Sequence, residues 1–305
     1  MAAGATRPGR RGRLKANGDL QDCIQSRQLL HLGEGPLWHP VWQELLVVDV
    51  PRGEIHRFDA TLRRLGTMPT GRPTSALTWQ PDGSILCFHD RGEISRIPGR
   101  DAGPEPFLAV QEESRGMFND VIADPQGRVL CGALPIGNRP GRLYVIHRDG
   151  RHEILLDDLL EPNGLGFSAD GRTMYFADSA GQTIWRFRYD SGAARLAERT
   201  AFWRTSGEEL PDGLTIDNGG RIVCAIWGGG RVVRIRPDGG VDGCWRVPAR
   251  RTTSVTFGGA SLDALFVTSA RQEGPEGADD ESAGAVFRLA VPSTGRAEWP
   301  SRIAP

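Results

Sequence analysis

Short apolar runs separated by polar turns recur along the chain from about residue 30 onward. In each repeat a strand-like piece ends at a turn, a β-branched or aromatic run follows, and a glycine-containing turn leads to a third strand. The second strands read LLVVDV, ILCFHD, VLCGAL, MYFADS, IVCAIW and LFVTSA. The turns before them include Pro-Asp-Gly and Asn-Gly-Gly, which suit tight hairpins. The pattern favours strands over helices, because no 3.6-residue periodicity is sustained.

The spacing of these repeats is regular. The turn residues that follow the first strand of each repeat are Pro40, Pro81, Pro125, Ala169, Asn218 and Gly259. Successive turns are separated by 41, 44, 44, 49 and 41 residues. A period of about 40–50 residues with about four short strands per unit is typical of a propeller blade. The sequence therefore predicts an all-β fold, a six-bladed β-propeller.

The sixth repeat supplies only three strands, and a strand-like segment at residues 23–31 precedes the first repeat. We expect this segment to pair as the outer strand of the sixth blade, because closure removes an open sheet edge. A loose N-terminal strand is the alternative. We predict a disordered basic tail over residues 1–20, a single propeller over 21–295 and a C-terminal tail over 296–305.

Composition excludes several classes of protein. The formal net charge of −1 over 305 residues favours neither nucleic acid nor an anionic membrane as a partner. The only lysine is Lys15, so a P-loop and a Schiff-base lysine are excluded from the predicted propeller. Five cysteines without C-x-x-C spacing indicate reduced thiols and a cytoplasmic protein. We expect a monomer or a small homo-oligomer.

Candidate chemistry lies six positions before each turn residue. The residues at these positions are Glu34, Ser75, Asn119, Asn163, Asp212 and Thr253. The first strand of each propeller blade lines the central channel, so these side chains should face one point on the axis. Two carboxylates at one point repel each other unless a cation or a proton lies between them. The sequence therefore predicts a central metal site for a hard divalent cation, Ca²⁺ first, with Mg²⁺, Mn²⁺ or Zn²⁺ as alternatives.

The six positions are not expected to act alike. Hydroxyl groups readily bond to buried water and backbone groups, so Ser75 and Thr253 are expected to be structural. Clustered buried acids are costly without a partner. Glu34, Asn163 and Asp212 are therefore the ring residues that are least expected to be purely structural.

Four other polar or aromatic residues fall near the ring. Asp49 and Asp178 end second strands and are expected to accept hydrogen bonds from turn N–H groups. His89, at a matching position, is expected to be an ordinary buried histidine, with a role near the substrate as the alternative. Trp227 is expected to pack between blades.

Several motifs occur together and in a fixed order. They are Gly33-Glu34-Gly35-Pro36, Phe118-Asn119-Asp120, Pro162-Asn163-Gly164-Leu165, Pro211-Asp212-Gly213-Leu214 and Trp227-Gly228-Gly229-Gly230-Arg231. Over residues 32–271 the chain resembles the senescence marker protein/gluconolactonase/luciferin-regenerating enzyme family, which includes regucalcin. The resemblance implies one divalent metal on Glu34, Asn163 and Asp212. It also implies hydrolysis of a small lactone, such as the aldonolactone gluconolactone.

The resemblance further implies roles for individual residues. Asp212 matches the residue proposed as the general base, and Asn119 matches a residue that contacts substrate or lies close to the metal. An arginine often stands two places before this asparagine in the family, whereas here that substrate-binding position is Met117, and Arg115 lies two residues away. The loop after Leu134 is short, which indicates a reduced lid. These differences alter the substrate end of the site and leave the metal ligands in place.

We therefore expect a metal-dependent lactonase in which the cation polarises the lactone carbonyl. The nucleophile can arise in two ways. Either Asp212 takes a proton from the attacking water, or a water bound to the metal loses its proton, and both routes remain open. Two other functions use the same ring of residues: a non-catalytic calcium-binding or interaction propeller, and hydrolysis of phosphotriesters or other esters.

Overall fold

The computed structural model describes residues 23–271 and 281–305, which form six four-stranded antiparallel sheets. The predicted basic tail at residues 1–20 lies outside the described residues. The first twelve strands are β1 (Cys23–Gln25), β2 (Gly33–His39), β3 (Glu44–Asp49), β4 (Glu54–Phe58), β5 (Arg64–Pro69), β6 (Thr74–Trp79), β7 (Ile85–His89), β8 (Glu93–Ile97), β9 (Glu105–Ala109), β10 (Phe118–Ala123), β11 (Val129–Ala133) and β12 (Gly141–Ile146). The second twelve are β13 (His152–Leu159), β14 (Pro162–Phe167), β15 (Thr173–Asp178), β16 (Thr183–Asp190), β17 (Arg195–Arg204), β18 (Leu210–Ile216), β19 (Ile222–Trp227), β20 (Arg231–Ile235), β21 (Val241–Arg246), β22 (Thr252–Gly258), β23 (Ala264–Ser269) and β24 (Phe287–Ala290).

Each sheet is one blade of a propeller. Blades one to five consist of consecutive strands, beginning with β2, β6, β10, β14 and β18, and blade six has the order β22, β23, β24, β1. The first strands of successive blades pack against one another, and β22 packs against β2. This contact closes the ring around a central channel. The predicted six-bladed β-propeller is confirmed.

Closure depends on the strand that begins the described chain. β1 pairs antiparallel with β24, with Cys23 opposite Leu289 and Gln25 opposite Phe287. The fourth strand of the last blade therefore comes from the N-terminal side of the first blade, as the sequence predicted. The pairing covers an edge that would otherwise be open to other chains.

Apolar side chains fill the interfaces between neighbouring blades. One cluster joins Val48 of blade one with Leu77 and Cys87 of blade two. In the next interface the rings of Phe88 and Phe118 meet edge to face with centroids 5.7 Å apart. The second strands are buried on both faces, which explains their continuous apolar sequences. The five cysteines are free thiols, four of them buried.

The C-terminal residues cross the end of the channel where the inner strands finish. The backbone N–H of Ser301 donates to the carbonyl oxygen of Trp79, the last residue of β6, at 2.9 Å. The Trp299 ring packs edge to face on Phe167, the last residue of β14, at 5.8 Å. The ring of predicted site residues lies at the opposite end, where the inner strands begin.

The helical segments in the described part of the chain are three-residue 3₁₀ turns, Val50–Arg52 and Gln111–Glu113, and neither could cross a bilayer.

Candidate metal and substrate site

All six inner strands are irregular at the residues near the start of the channel. Their register with the second strand shifts at this point, for example between Glu34 and Leu37 in β2 and between Pro211 and Leu214 in β18. A β-bulge leaves residues out of the regular ladder and changes the direction of their side chains. The repeated irregularity turns one polar side chain of each blade away from the regular sheet.

Glycines beside two of the predicted ligands allow the inner strands to approach closely. A Cβ on Gly164 would lie 2.6 Å from the carbonyl oxygen of Asp212. A Cβ on Gly213 would lie 2.0 Å from Ser254 Oγ and 2.6 Å from its Cα. Larger residues would therefore push neighbouring blades apart. The Asn-Gly and Asp-Gly pairs set the width of the channel at this level.

Five of the six predicted ring residues line one cavity of about 290 Å³. They are Glu34, Ser75, Asn119, Asn163 and Asp212. The structure thus brings together five side chains, each more than 40 residues from the next along the chain. Thr253 does not line this cavity, so the expectation that all six side chains face one point is wrong for this residue.

Hydrogen bonds explain why the two hydroxyl residues differ from the acids. Thr253 Oγ1 donates to the carbonyl oxygen of Gly33 at 2.6 Å and lies 2.7 Å from Thr268 Oγ1. Ser75 Oγ lies 3.3 Å from the carbonyl oxygen of Phe88 and 3.2 Å from that of Asn119. Both hydroxyl groups are satisfied by the protein, and their expected structural role is confirmed.

Asn119 is held from the neighbouring blade. Its Nδ2 donates to the carbonyl oxygen of Pro162 at 2.8 Å. An amide has one acceptor oxygen in addition to its two donor hydrogens. Because Asn119 Nδ2 bonds to a backbone oxygen of blade four, the Asn119 side chain is fixed at the wall of the cavity.

The Glu34 and Asp212 carboxyl groups are buried among other acids. Burial raises the pKa of Glu34 well above its usual range, and the charge of Asp120 raises it further, against a hydrogen bond from the Gly35 N–H at 3.3 Å. Burial also raises the pKa of Asp212, and the charges of Glu34 and Asp120 add to this effect. The pKa of Asp120 is raised to about 7 by burial. Ionised acids in this cavity need a positive partner.

The donor atoms of Glu34, Asn163 and Asp212 fit a hard divalent cation. All three residues are more than nine-tenths buried, and Asp212 Oδ1 has no hydrogen-bond partner among the described residues. Two carboxylates and one amide oxygen match the preference of Ca²⁺ for oxygen ligands. Within residues 23–271 and 281–305, no group of three or more His, Cys, Asp and Glu side chains could hold a metal. The predicted metal site therefore depends on the amide of Asn163, and it stays a prediction.

The residues two positions before each ring residue form an outer ring. They are Leu32, Pro73, Met117, Glu161, Leu210 and Arg251. Leu32, Met117, Glu161 and Leu210 line the cavity, and Leu134 adds a further apolar side chain to it. Met117 therefore lies where the sequence placed it, at the wall of the candidate substrate site. Sequence reasoning missed Glu161, although the same two-residue offset from Asn163 would have found it.

Two aspartates hold the outer ring through its backbone. Asp49 accepts hydrogen bonds from the N–H groups of residues 31–32 at 3.1 and 3.3 Å. Asp178 accepts equivalent bonds from residues 160–161 at 3.3 and 2.7 Å. The predicted role of both aspartates in holding turns is confirmed. Burial raises the pKa of Glu161, and the nearby charge of Asp178 adds to this shift.

His89 bonds to neighbouring hydroxyl groups, whereas Trp227 lies at the cavity. His89 Nδ1 lies 2.9 Å from Thr74 Oγ1 and its Nε2 lies 2.7 Å from Ser95 Oγ, which confirms an ordinary buried histidine. Trp227 lines the cavity, and the Arg251 guanidinium lies 5.0 Å from the centre of its ring. Trp227 therefore contacts the neighbouring blade, as expected, and also borders the cavity.

Known proteins share both this sequence pattern and this fold. The pentonolactonase XacC of Haloferax volcanii is 40% identical over 279 residues, which cover 89% of this chain and 95% of the relative. A luciferin-regenerating enzyme of known structure superposes with a TM-score of 0.81 at 25% identity, over 93% of this chain and 100% of the other. A calcium-binding protein, regucalcin, from Agrobacterium tumefaciens str. C58 superposes with a TM-score of 0.81 at 26% identity, over 90% of this chain and 95% of the other.

Residues 32–271 match the family described as the SMP-30/Gluconolactonase/LRE-like region. This match spans all six inner strands and every predicted ligand. The chain belongs to the SMP-30/gluconolactonase/LRE-like family, as its motifs indicated.

Proposed function

We propose that the protein is a lactonase that opens a small hydroxylated lactone with the help of one divalent cation on Glu34, Asn163 and Asp212. The observation that carries the proposal is the buried Asp212 carboxyl group, which has an unpartnered oxygen in a cavity shared with Glu34 and Asn163. Family membership and 40% identity with a pentonolactonase support lactone hydrolysis. The proposed substrate is a sugar lactone, an aldonolactone.

Ca²⁺ is the proposed cation. The available donor atoms are oxygens, which hard cations prefer, and the Agrobacterium tumefaciens relative is described as calcium-binding. Zn²⁺, Mg²⁺ and Mn²⁺ are the alternatives that a test includes. A bound divalent cation would supply Lewis-acid polarisation of the lactone carbonyl.

Asp212 is the proposed general base. Its carboxylate accepts a proton from the attacking water as the new carbon–oxygen bond forms at the carbonyl carbon. The proton then passes to the ring oxygen as the ring carbon–oxygen bond breaks, and the product is a hydroxy acid. Burial and neighbouring acids raise the pKa of Asp212 in the absence of a cation, whereas a bound divalent cation would lower it and keep the carboxylate ionised.

Asn119 and Met117 are the proposed substrate contacts. Asn119 is fixed by its bond to Pro162, so its free carbonyl oxygen can orient a substrate hydroxyl group without further ordering. Met117 provides an apolar surface at the wall of the cavity. A cavity of about 290 Å³ is at the small end of ligand pockets, in accord with a single sugar ring.

A pH-stat assay of aldonolactones with Ca²⁺, Mg²⁺, Mn²⁺ or Zn²⁺, each with and without chelator, tests the proposal. We expect turnover that chelator abolishes and that one of these cations restores. Stabilisation by Ca²⁺ without turnover of any lactone would instead support a calcium-binding propeller. Cation-dependent hydrolysis of aryl esters or phosphotriesters, with lactones untouched, would support the other hydrolase.

A further inference from the structure

The outer ring has one acidic member at the cavity. Glu161 lies among Leu32, Met117 and Leu210, the other outer-ring residues that line this space. Glu161 is only partly buried, but a ligand that covers its carboxyl group without bonding to it would pay a desolvation cost. The position therefore needs an explanation beyond packing.

The backbone of Glu161 is held on both sides. Its N–H donates to Asp178 Oδ1 at 2.7 Å, and its carbonyl oxygen accepts from the Ser179 N–H at 3.0 Å. Only the side chain of Glu161 retains freedom to move. These bonds therefore fix the point at which the Glu161 side chain joins the wall of the cavity, two residues before Asn163.

No partner for the Glu161 carboxylate occurs among the hydrogen bonds and ion pairs of residues 23–271 and 281–305. The charged groups that influence it and that it influences are acids, Asp178 and Asp212. An ionised carboxylate can only accept hydrogen bonds. Glu161 is only partly buried, so water can reach its carboxylate. A ligand that displaces this water must bring a hydrogen-bond donor of its own, and a hydroxyl group is the donor that a neutral sugar ring supplies.

We infer that Glu161 determines substrate specificity by accepting hydrogen bonds from the hydroxyl groups of a neutral lactone. This inference rests on the proposed function and adds a residue to it. Met117 and Leu134 cannot donate or accept comparable bonds, so the hydroxyl-bearing side of the ring faces Glu161 and its apolar side faces these two residues. The negative charge also disfavours the aldonate product, which carries a carboxylate of its own, and so assists product release.

Kinetics on two lactones that differ only in hydroxyl groups test the role of Glu161. We expect Glu161→Leu to lower kcat/KM for a pentono-γ-lactone by about 10- to 100-fold, mainly through KM, because a hydrogen bond to a charged group is lost. Activity on γ-butyrolactone, which has the same ring without hydroxyl groups, should change by less than about 2-fold. Equal losses on both lactones, or no loss on either, would overturn the inference.

Two further variants separate charge from shape. Glu161→Gln keeps an acceptor oxygen and removes the charge, so it should retain most of the activity on the pentono-γ-lactone and should be inhibited more strongly by the aldonate. Glu105→Leu is the control, because Glu105 is an exposed residue of the outer strand β9. It should behave like the wild type in every assay.

Binding of a hydroxylated γ-lactam, which keeps the ring and resists hydrolysis, gives a readout without turnover. In calorimetry with Ca²⁺ present, Glu161→Leu should bind the lactam about 10-fold more weakly than the wild type. If the wild type binds the lactam in this Glu161-dependent way but hydrolyses no lactone, the proposed lactonase function fails and the recognition role of Glu161 stands. If lactam affinity is equal in both proteins, or the wild type does not bind it, the recognition role is wrong.

Discussion

Equivalent positions in the six blades differ in what completes their hydrogen bonds. Ser75 and Thr253 donate to backbone oxygens of neighbouring strands. Asp212, at the same position of its own blade, keeps a buried oxygen that no described residue satisfies. The repeat decides where the residue lies in the blade. The chemistry of the residue then decides whether the protein or a ligand satisfies its polar atoms.

The largest expected effect comes from removing an acid of the ring. Asp212→Asn and Glu34→Gln should each lower kcat/KM for an aldonolactone by at least about 1000-fold, because a proton acceptor or a cation ligand is lost. Both variants should keep the far-ultraviolet circular dichroism of the wild type. Both should also lose the rise in Tm that Ca²⁺ causes, since binding to the folded state stabilises it. Full turnover by either variant would refute the proposed site.

The second-largest effect is expected at Gly213, where the absence of a side chain allows two inner strands to approach closely. Gly213→Ala should destabilise the fold by about 2–4 kcal/mol, because its Cβ would overlap Ser254 in the adjacent inner strand. Urea unfolding measures this loss. Gly103→Ala is the control, since Gly103, like Gly213, lies outside the positive-φ region and a Cβ there would meet nothing within 4 Å. Equal stability losses would show that the close approach of the strands is unimportant.

A smaller effect is expected at the ring position that the protein satisfies itself. Thr253→Val should lower the free energy of unfolding by about 1–2 kcal/mol, because the carbonyl oxygen of Gly33 loses its donor. Its kcat/KM should stay within about 3-fold of the wild type, because Thr253 does not line the cavity. Denaturation and the lactone assay together check both parts. A loss of activity as large as that of Asp212→Asn would show that ring residues bonded to the protein and ring residues left for a ligand do not differ in function.

The smallest effect concerns an acid at the other end of the channel. The side chain of Glu298 is exposed, but desolvation by the surrounding protein raises its pKa to about 7, and the charge of Asp120 adds to the shift while Arg296 opposes it. A carboxyl group with a raised folded-state pKa stabilises the fold at low pH. That contribution is lost as the pH rises through about 7. Glu298→Gln should therefore raise stability at pH 8 by about 1 kcal/mol, after allowing for solvent screening, or by roughly 2–4 °C in Tm.

At pH 4 the Glu298→Gln variant should match the wild type, because the carboxyl group is then protonated in both the folded and the unfolded protein. Thermal melts at the two pH values measure the difference, with Glu105→Gln in the outer strand β9 as the control. A gain that is the same at both pH values would show that the charge of Glu298 is not its cause.

Much of the fold could be predicted because its signals are local. Apolar runs, turn residues and the spacing from Pro40 to Gly259 indicate the blades, and the unpaired segment around Cys23 indicates how the ring closes. The same spacing identified the six ring positions, which include Glu34, Asn163 and Asp212, because a repeat places equivalent residues at equivalent heights. The path of residues 296–305 across the opposite end of the channel had no comparable signal.

The tertiary structure alone decided which polar side chains the cavity receives. Glu161 and Trp227 line it, whereas Thr253 turns toward Gly33. These outcomes depend on bulges and on contacts between strands of different blades. Such contacts join residues far apart along the chain, and hydrophobic periodicity carries no information about them. The sequence by itself determined the blades and the six ring positions, while packing between blades determined which of their polar atoms are left for a ligand.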